Sequence, residues 1–515
     1  MLGRPRLGFF RKAFSAEARR LYRTRVFVLL AIIGLPASAS AYVPGDRWTT
    51  TASGSASSEG DPVTLTWSFA RDGLSIPGEG SSNLIDFLDD LFNVTSGGTN
   101  FQTRPWFDLV EQSFARWTEV SGVNFIYEPN DSGSFSSATG ALGVRGDIRI
   151  GGQNIDGSSG TLAYAFFPNN GDIVIDTSEA SFYSNSANNY RALRNTLMHE
   201  IGHAFGLDHV ESSNSALLME PTINTSFDGP QLDDIRGAHG FYGDMFEKTN
   251  SGQGNNSYSL ATSLGSLAAG ASLAIGGDAL GTQSVGASET DFVSIANTDD
   301  FDFYSFSITQ PSMLSATLRP LGGTFNQGVE GGTQSSFNAS ARNNLLLTIF
   351  DQNGTTLLAS ANDGAAGEVD SLAGISLTSA GQYFLRISGA SDSVQLYQLQ
   401  LSAMATISSL AGDYNDDGVV DAADYVVWRR TLGLTGSDLA ADGNGNGQID
   451  SADYTVWRSN FGDSSSGGGS NVTTAGVPES STLTMLLPST ILLISFRSSR
   501  AAGQDDAARR RSAAS

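Results

Sequence analysis

A chain of 515 residues with 40% hydrophobic content is long enough for several cores, and its 59 Gly among many Ser, Thr and Asn favour β-rich modules joined by turns over helical bundles. The formal charge is −24, and 13 of the 29 Lys and Arg residues lie in the two end segments, so the body of the chain is strongly acidic. That excludes nucleic acid, which needs a basic surface to displace its counterions, and favours hard cations; the absence of Cys excludes disulfides and any thiolate that could cap a metal.

Eight basic residues among the first 25, an apolar run from Val26 to Leu35 and the small residues of PASASAY have the form of a secretory signal over residues 1–41, cut after Ala39 or Ala41. An uncleaved membrane anchor is the other reading, although the apolar run is short for a span. From Asp61, DPVTLTWSFA alternates apolar and polar residues, which predicts a strand with one wet face. FDLVEQSFARWTEV spaces Leu109, Phe114 and Trp117 at helical intervals, strand signals return at VNFIYE, DIRIGG and DIVID, and a further helix starts near Tyr190.

That helix carries MHEIGHAFGLDHVESSNSALLMEP, Met198 to Pro221. His199 and His203 stand four apart, so both imidazoles project from one face and can grip one ion, with Glu200 beside the metal rather than on it. Gly206 lets the chain leave the helix through positive φ, and the turn brings His209 round as a third ligand. Three neutral imidazoles leave the fourth zinc position open for water, whose pKa falls towards about 7, and a carboxylate such as Glu200 can take its proton as it attacks a carbonyl. His239, the fourth His of the chain, reads as structural or surface.

HEIGHAFGLDH followed by Met219 resembles the metzincin metallopeptidases, and most closely their matrixin branch. The resemblance covers about residues 60 to 245 and implies an α+β catalytic domain. It implies His199, His203 and His209 on catalytic zinc, Glu200 as general base and Met219 as the floor of the site. It also implies a structural calcium loop with side chains from Asp156, Asp176 and Glu179 and carbonyls from the turn between Gly157 and Thr161; a plain acidic turn is the other reading of those residues. Leu162 and Ala163 become the backbone partners of an extended peptide substrate. Tyr164 and Val174 occupy the His positions of the family's second zinc, Val210 stands where Ser is usual, and Glu220 where Tyr is usual.

Past Lys248 the runs TDDFDFYSFSI, LLLTIFDQNGTTLLAS and AGQYFLRISG alternate between Asn-Gly and Ala-Gly turns, as in an antiparallel β-sandwich, and are similar to the bacterial pre-peptidase C-terminal domain. An internal repeat follows, DYNDDGVVDAADYVVWRRTLG and DGNGNGQIDSADYTVWRSNFG, each opening on a calcium loop. Its oxygen donors are Asp413, Asn415, Asp417, Asp421 and Asp424 in the first copy, with the carbonyl of Val419, and Asp442, Asn444, Asn446, Asp450 and Asp453 in the second, with the carbonyl of Gln448. The pair resembles a dockerin type I domain, which implies a cohesin-type partner bound through Ala422, Ala423, Ser451 and Ala452; a calcium-rigidified spacer is the other reading. VPES with a following apolar run and Arg497 and Arg500 is similar to a PEP-CTERM sorting signal, which implies membrane or cell-surface attachment.

The chain therefore reads as multidomain: signal 1–41, matrixin-like zinc peptidase 42–247, β-sandwich 248–404, small α-helical dockerin-like domain 405–463, Ser/Gly linker 464–477 and sorting or anchor segment 478–515. The function expected is a secreted, extracellular or surface-bound endopeptidase that uses Zn2+ and Ca2+ and acts on protein or peptide substrates. The alternative is a calcium-dependent adhesion or scaffold protein with a vestigial peptidase domain.

Overall fold

A computed structural model describes residues 7–11 and 42–464, apart from 57, 96, 137, 214–216, 279–283, 363, 407–409 and 438. The expected linker from residue 465 on, the sorting segment and most of the expected signal lie outside the described residues. The chain divides into two units, up to Thr406 and from Ile407. Among the described residues no helix is long and apolar enough to cross a membrane.

The first unit opens on a six-stranded sheet built from β1 (Leu7–Arg11), β2 (Val63–Phe69), β3 (Val123–Tyr127), β4 (Ile148–Gln153), β5 (Thr161–Phe166) and β6 (Ile173–Asp176), in the order β1-β5-β6-β4-β2-β3. The β6–β4, β4–β2 and β2–β3 pairs are parallel, while β5 runs antiparallel to β6 and to β1. The alternation in β2 predicts one wet face, yet both faces are largely covered. Its polar side is buried because carboxylates satisfy it: Asp147 accepts from Thr66 N and Oγ1 at 2.8 and 2.9 Å, and Asp131 from Ser68 Oγ at 2.9 Å. On the apolar side Trp67 stacks on Phe114, ring centroids 4.5 Å apart.

Phe114 belongs to α2 (Phe107–Glu119), the helix expected from the spacing of Leu109, Phe114 and Trp117, all three buried. An earlier helix, α1 (Leu84–Leu91), precedes it, with Leu84, Ile85 and Leu88 at helical spacing and buried. The long helix α3 (Ala187–Phe205) packs against α2, and Trp117 Nε1 donates to Met198 O at 2.9 Å. After it come a short strand β7 (Val210–Ser212) and α4 (Leu232–Tyr242), whose Tyr242 hydroxyl donates to Phe205 O at 2.7 Å.

The same unit continues into a β-sandwich. One sheet has the order β8 (Thr262–Ser266), β11 (Phe301–Ile308), β18 (Gly381–Gly389), β15 (Leu345–Phe350), β16 (Leu357–Ala361). The other has β9 (Ser272–Ile275), β19 (Gln395–Ala405), β12 (Ser312–Pro320), β17 (Asp370–Leu377), with β10 (Val293–Ile295) also on β19. Pairing is antiparallel as expected, except that β8 lies parallel to β11. Two strands, β13 (Thr324–Val329) and β14 (Ser335–Asn338), leave the sandwich and join β7 in a separate three-stranded sheet.

In the second unit each repeat gives a loop and a helix, α5 (Ala422–Thr431) and α6 (Ser451–Ser459). Gly418 and Gly447 take φ of 86° and 78° and donate to Asp413 Oδ2 and Asp442 Oδ2 at 2.8 and 2.7 Å, the sharp turn for which glycine is needed. Asp421 and Asp450 cap the helices, with Asp424 and Asp453 closing the capping boxes. Each repeat's Trp holds the other: Trp428 Nε1 donates to Asp450 O at 2.8 Å and Trp457 Nε1 to Asp421 O at 2.7 Å.

Candidate metal and catalytic site

Helix α3 starts with a left-handed turn at Asn188, Asn189 and Tyr190, φ between 52° and 57°, runs right-handed to Phe205 and stops at Gly206, φ 137°. The four-residue spacing places the His199 and His203 rings 4.7 Å apart, and the turn returns His209 to 4.6 Å from His203 and 5.2 Å from His199. All three imidazoles are buried.

Each ring is held by its Nδ1: His199 by Leu218 O at 2.6 Å, His203 by Leu207 O at 2.7 Å and His209 by Glu330 Oε2 at 2.7 Å. An acceptor at Nδ1 orients each ring so that Nε2 is the atom that would face a metal. These nitrogens converge. His199 Nε2 and His209 Nε2 lie 3.2 Å apart, and two nitrogens bound to one tetrahedral zinc ion stand about 3.3 Å apart. His203 Nε2 is buried with no hydrogen-bond partner, and the three ligand atoms all fall within 4.8 Å of one another. Burial, and then the neighbouring imidazoles, hold His199 and His203 well below the usual histidine range, so both are neutral, the form a metal needs. The donor set fits zinc.

Glu200 is fully buried, and neither carboxylate oxygen has a hydrogen-bond partner. Burial pushes its carboxyl well above the ordinary range, as it must for an acid that no protein group balances. Beneath the cluster, Met219 N and Leu218 N donate to Asp234 Oδ1 and Oδ2 at 3.2 and 2.7 Å, and Gln231 N also donates to Oδ2 at 2.8 Å. Burial pushes Asp234 up to about 7 against the pull of these bonds. Asp234 thus ties the Met219 turn to the start of α4. Its capping-box position after Gln231 is the signal that sequence reasoning could have used. Nothing local could have pointed to Glu330, which lies 121 residues from His209 and arrives on the β13–β14 hairpin.

The expected calcium side chains are hydrogen-bonded to the backbone and hydroxyls of their own turns. Asp156 accepts from Thr161 N and Oγ1 at 3.0 and 2.8 Å, Asp176 Oδ1 from Ile155 N and Ser178 Oγ at 3.3 and 2.7 Å, and Glu179 Oε1 from Gly160 N at 3.2 Å and from Ser159 N. They close the turn rather than meeting at one point, although Asp176 keeps one buried oxygen without a partner. Among the described residues, three-membered ligand groups occur at the histidines and at Glu247, Asp300 and Asp302, a buried acidic cluster where the sandwich meets the first module. Tyr164 and Val174 pack in an apolar cluster with Ala70, Ile76, Phe135 and Phe166. His239 stands apart from the site, fully buried, bonded to Val120 O and Ser294 Oγ at 2.7 and 2.9 Å.

The edge strand β5, expected to receive substrate, is paired antiparallel with β1, Phe10 opposite Ala163 and Leu7 opposite Phe166. Tyr183 Oη donates to Leu162 O at 2.6 Å from behind.

Residues 91–243 match the family model of matrixins, residues 300–389 that of the bacterial pre-peptidase C-terminal domain, and residues 411–460 that of the dockerin type I domain. Metalloendoproteinase 2-MMP of Arabidopsis thaliana is 34% identical over 143 residues, 26% of this chain and 36% of that protein. The hatching enzyme of Paracentrotus lividus is 32% identical over 155 residues, 28% and 23% of the two chains, and matrix metalloproteinase-25 of Mus musculus is 34% identical over 157 residues, 28% and 24%. The chain spans between 23% and 36% of the length of these relatives.

Proposed function

We propose, for a chain that carries a matrixin domain, a pre-peptidase C-terminal domain and a dockerin type I domain, that it is a zinc-dependent metalloendopeptidase hydrolysing peptide bonds of extracellular proteins. The observation that carries this reading is the convergence of three Nε2 atoms, each ring anchored through Nδ1, next to a buried carboxylate with no partner of its own. His199, His203 and His209 would hold zinc, which when bound would supply a polarised water near neutral pH and a Lewis acid for the scissile carbonyl. The charge of a bound zinc ion would hold the Glu200 carboxylate ionised against the effect of its burial, so that it could take the proton of the attacking water and pass it to the leaving amine. Met219 closes the floor. The substrate backbone lies along β5, in the antiparallel place that β1 takes, with Leu162 and Ala163 as its partners. Removal of residues 1–41 on export frees that edge.

The same reading assigns Asp156, Asp176 and Glu179 to a calcium ion that would draw them together, with the unpartnered oxygen of Asp176 as its support. It assigns the loops from Asp413 and Asp442 to calcium as well. Ala422, Ala423, Ser451 and Ala452, all exposed, present the surface for a cohesin-type partner. The test is hydrolysis of a generic protein substrate by the parent and by Glu200→Ala at equal zinc content. Loss of at least about 100-fold is expected when a general base is removed; equal rates end the enzyme reading and leave the adhesion alternative.

A further inference from the structure

The β13–β14 hairpin leaves the sandwich and lays β13 antiparallel to β7, with Val210 opposite Val329 and Ser212 opposite Gln327. Ser213 N and Ser212 Oγ both donate to Asn326 O at 3.1 Å. At its root, Phe337 is buried between two guanidinium groups, Arg236 of α4 at 4.7 Å and Arg342 of the sandwich at 4.6 Å. Because β7 begins one residue after His209, this pairing delivers the residue after Val329 to the third imidazole. Gly331, φ 68°, then turns the chain away, and Gly332 N closes the hairpin on Val329 O at 2.8 Å.

The contact so made differs in kind from the other two. His199 and His203 give their Nδ1 protons to carbonyl oxygens of their own module, whereas His209 gives its proton to a carboxylate, from another module, at 2.7 Å. A carboxylate on the far nitrogen fixes the tautomer and orientation of an imidazole and makes its other nitrogen a stronger donor. The Glu330 side chain is 58% exposed and that of His209 only 4%, so the carboxylate stands at the solvent side of a buried ring.

We propose that Glu330 is a positioning residue of the metal centre, so that a hairpin extending from the β-sandwich holds the third imidazole of the peptidase module in place. This rests on the reading that the three histidines hold zinc. The test uses the full chain with Zn2+ as the probe, competed by a chelator, in the parent, Glu330→Ala and Glu330→Gln. Removing such a partner lowers metal affinity by about 10–100-fold, so Glu330→Ala is expected to release zinc that much more readily. Glu330→Gln, which keeps an acceptor oxygen without the charge, falls between. The visible absorption of the cobalt-substituted protein should shift in Glu330→Ala, a change that loss of surface packing alone would not produce. Equal zinc affinity and an unchanged cobalt spectrum in Glu330→Ala overturn the proposal while leaving the three-histidine site intact. A parent that takes up no zinc overturns both.

Discussion

The sulfur of Met219 lies 2.5 Å from the point where a Cβ on Gly202 would stand, so α3 rides directly on the Met219 turn with no room for a side chain between them. A glycine inside a helix costs roughly 0.5–1 kcal/mol relative to alanine, and here the close approach it permits offsets that cost. His203 is the next residue, so anything that lifts the helix also moves one of the three proposed zinc ligands. Gly202→Ala is therefore expected to lose about 1–3 kcal/mol by overpacking, despite its better helix propensity. It should also carry less zinc than the parent. Thermal melting with metal analysis checks this; a variant as stable and as zinc-replete as the parent would show that the contact yields freely.

Asp234 holds three backbone N–H groups, two of them in the Met219 turn. Asp234→Ala orphans all three in a buried place, at roughly 1–3 kcal/mol each. Asp234→Asn keeps one acceptor oxygen and is expected to fall between. Urea denaturation of the three proteins should give that order, and an alanine variant equal to the parent would mean that water replaces the carboxylate.

The zinc motif was legible because its geometry is local: two His four apart on a helix, a glycine at the exit and a third His within one turn. Periodicity marked α2 and the sandwich strands for the same reason, since neighbouring residues reveal a covered face. Where a second carboxylate or module supplied the environment, the sequence was silent. The wet face expected of β2 is dry because Asp131 and Asp147 approach its polar side from 63 and 81 residues away. The hairpin that reaches His209 falls within the span assigned to the sandwich, and nothing in TFNQGV shows that its pairing partner is Val210–Ser212. The carboxylates Asp156, Asp176 and Glu179 match a calcium loop by resemblance and a plain acidic turn by composition, and sequence alone does not separate the two because both place carboxylates beside a glycine-rich turn.

Glu247 is pushed up to about 9 and Asp244 up to about 6, in both cases chiefly by burial, where the sandwich meets the first module. A carboxyl whose folded pKa is raised binds its proton more tightly folded than unfolded, so its contribution to stability is complete below the unfolded value and is lost as pH rises through the folded one. For Glu247 that window opens above about 4.5 and closes near 9. In metal-free buffer the melting temperature of the full chain should fall steadily from pH 5 to pH 9, and Glu247→Gln should flatten the slope. A parent profile that is level or rises across this range would contradict the burial of an uncompensated acid there.

Asp424 has two tasks in the second unit. Its Oδ1 accepts from Tyr414 N and Asn415 N at 2.8 and 3.1 Å and its Oδ2 from Asp421 N at 2.7 Å, so it shapes the first loop, and as the twelfth position of that loop it is also the expected calcium ligand. The loops are not independent, because Trp457 of the second repeat donates to Asp421 O in the first and Trp428 of the first donates to Asp450 O in the second. Asp424→Ala is therefore expected to abolish calcium binding in its own loop and to weaken the other by at least several-fold. Besides any ion at Asp156, Asp176 and Glu179, calorimetric titration should show one ion per loop of the second unit in the parent and a single weaker one there in the variant, and chelation should reduce the helical circular dichroism of α5 and α6 together. A variant whose remaining loop keeps parental affinity would mean that the crossed tryptophans do not couple the repeats, and the second unit would then be two separate calcium loops rather than one domain.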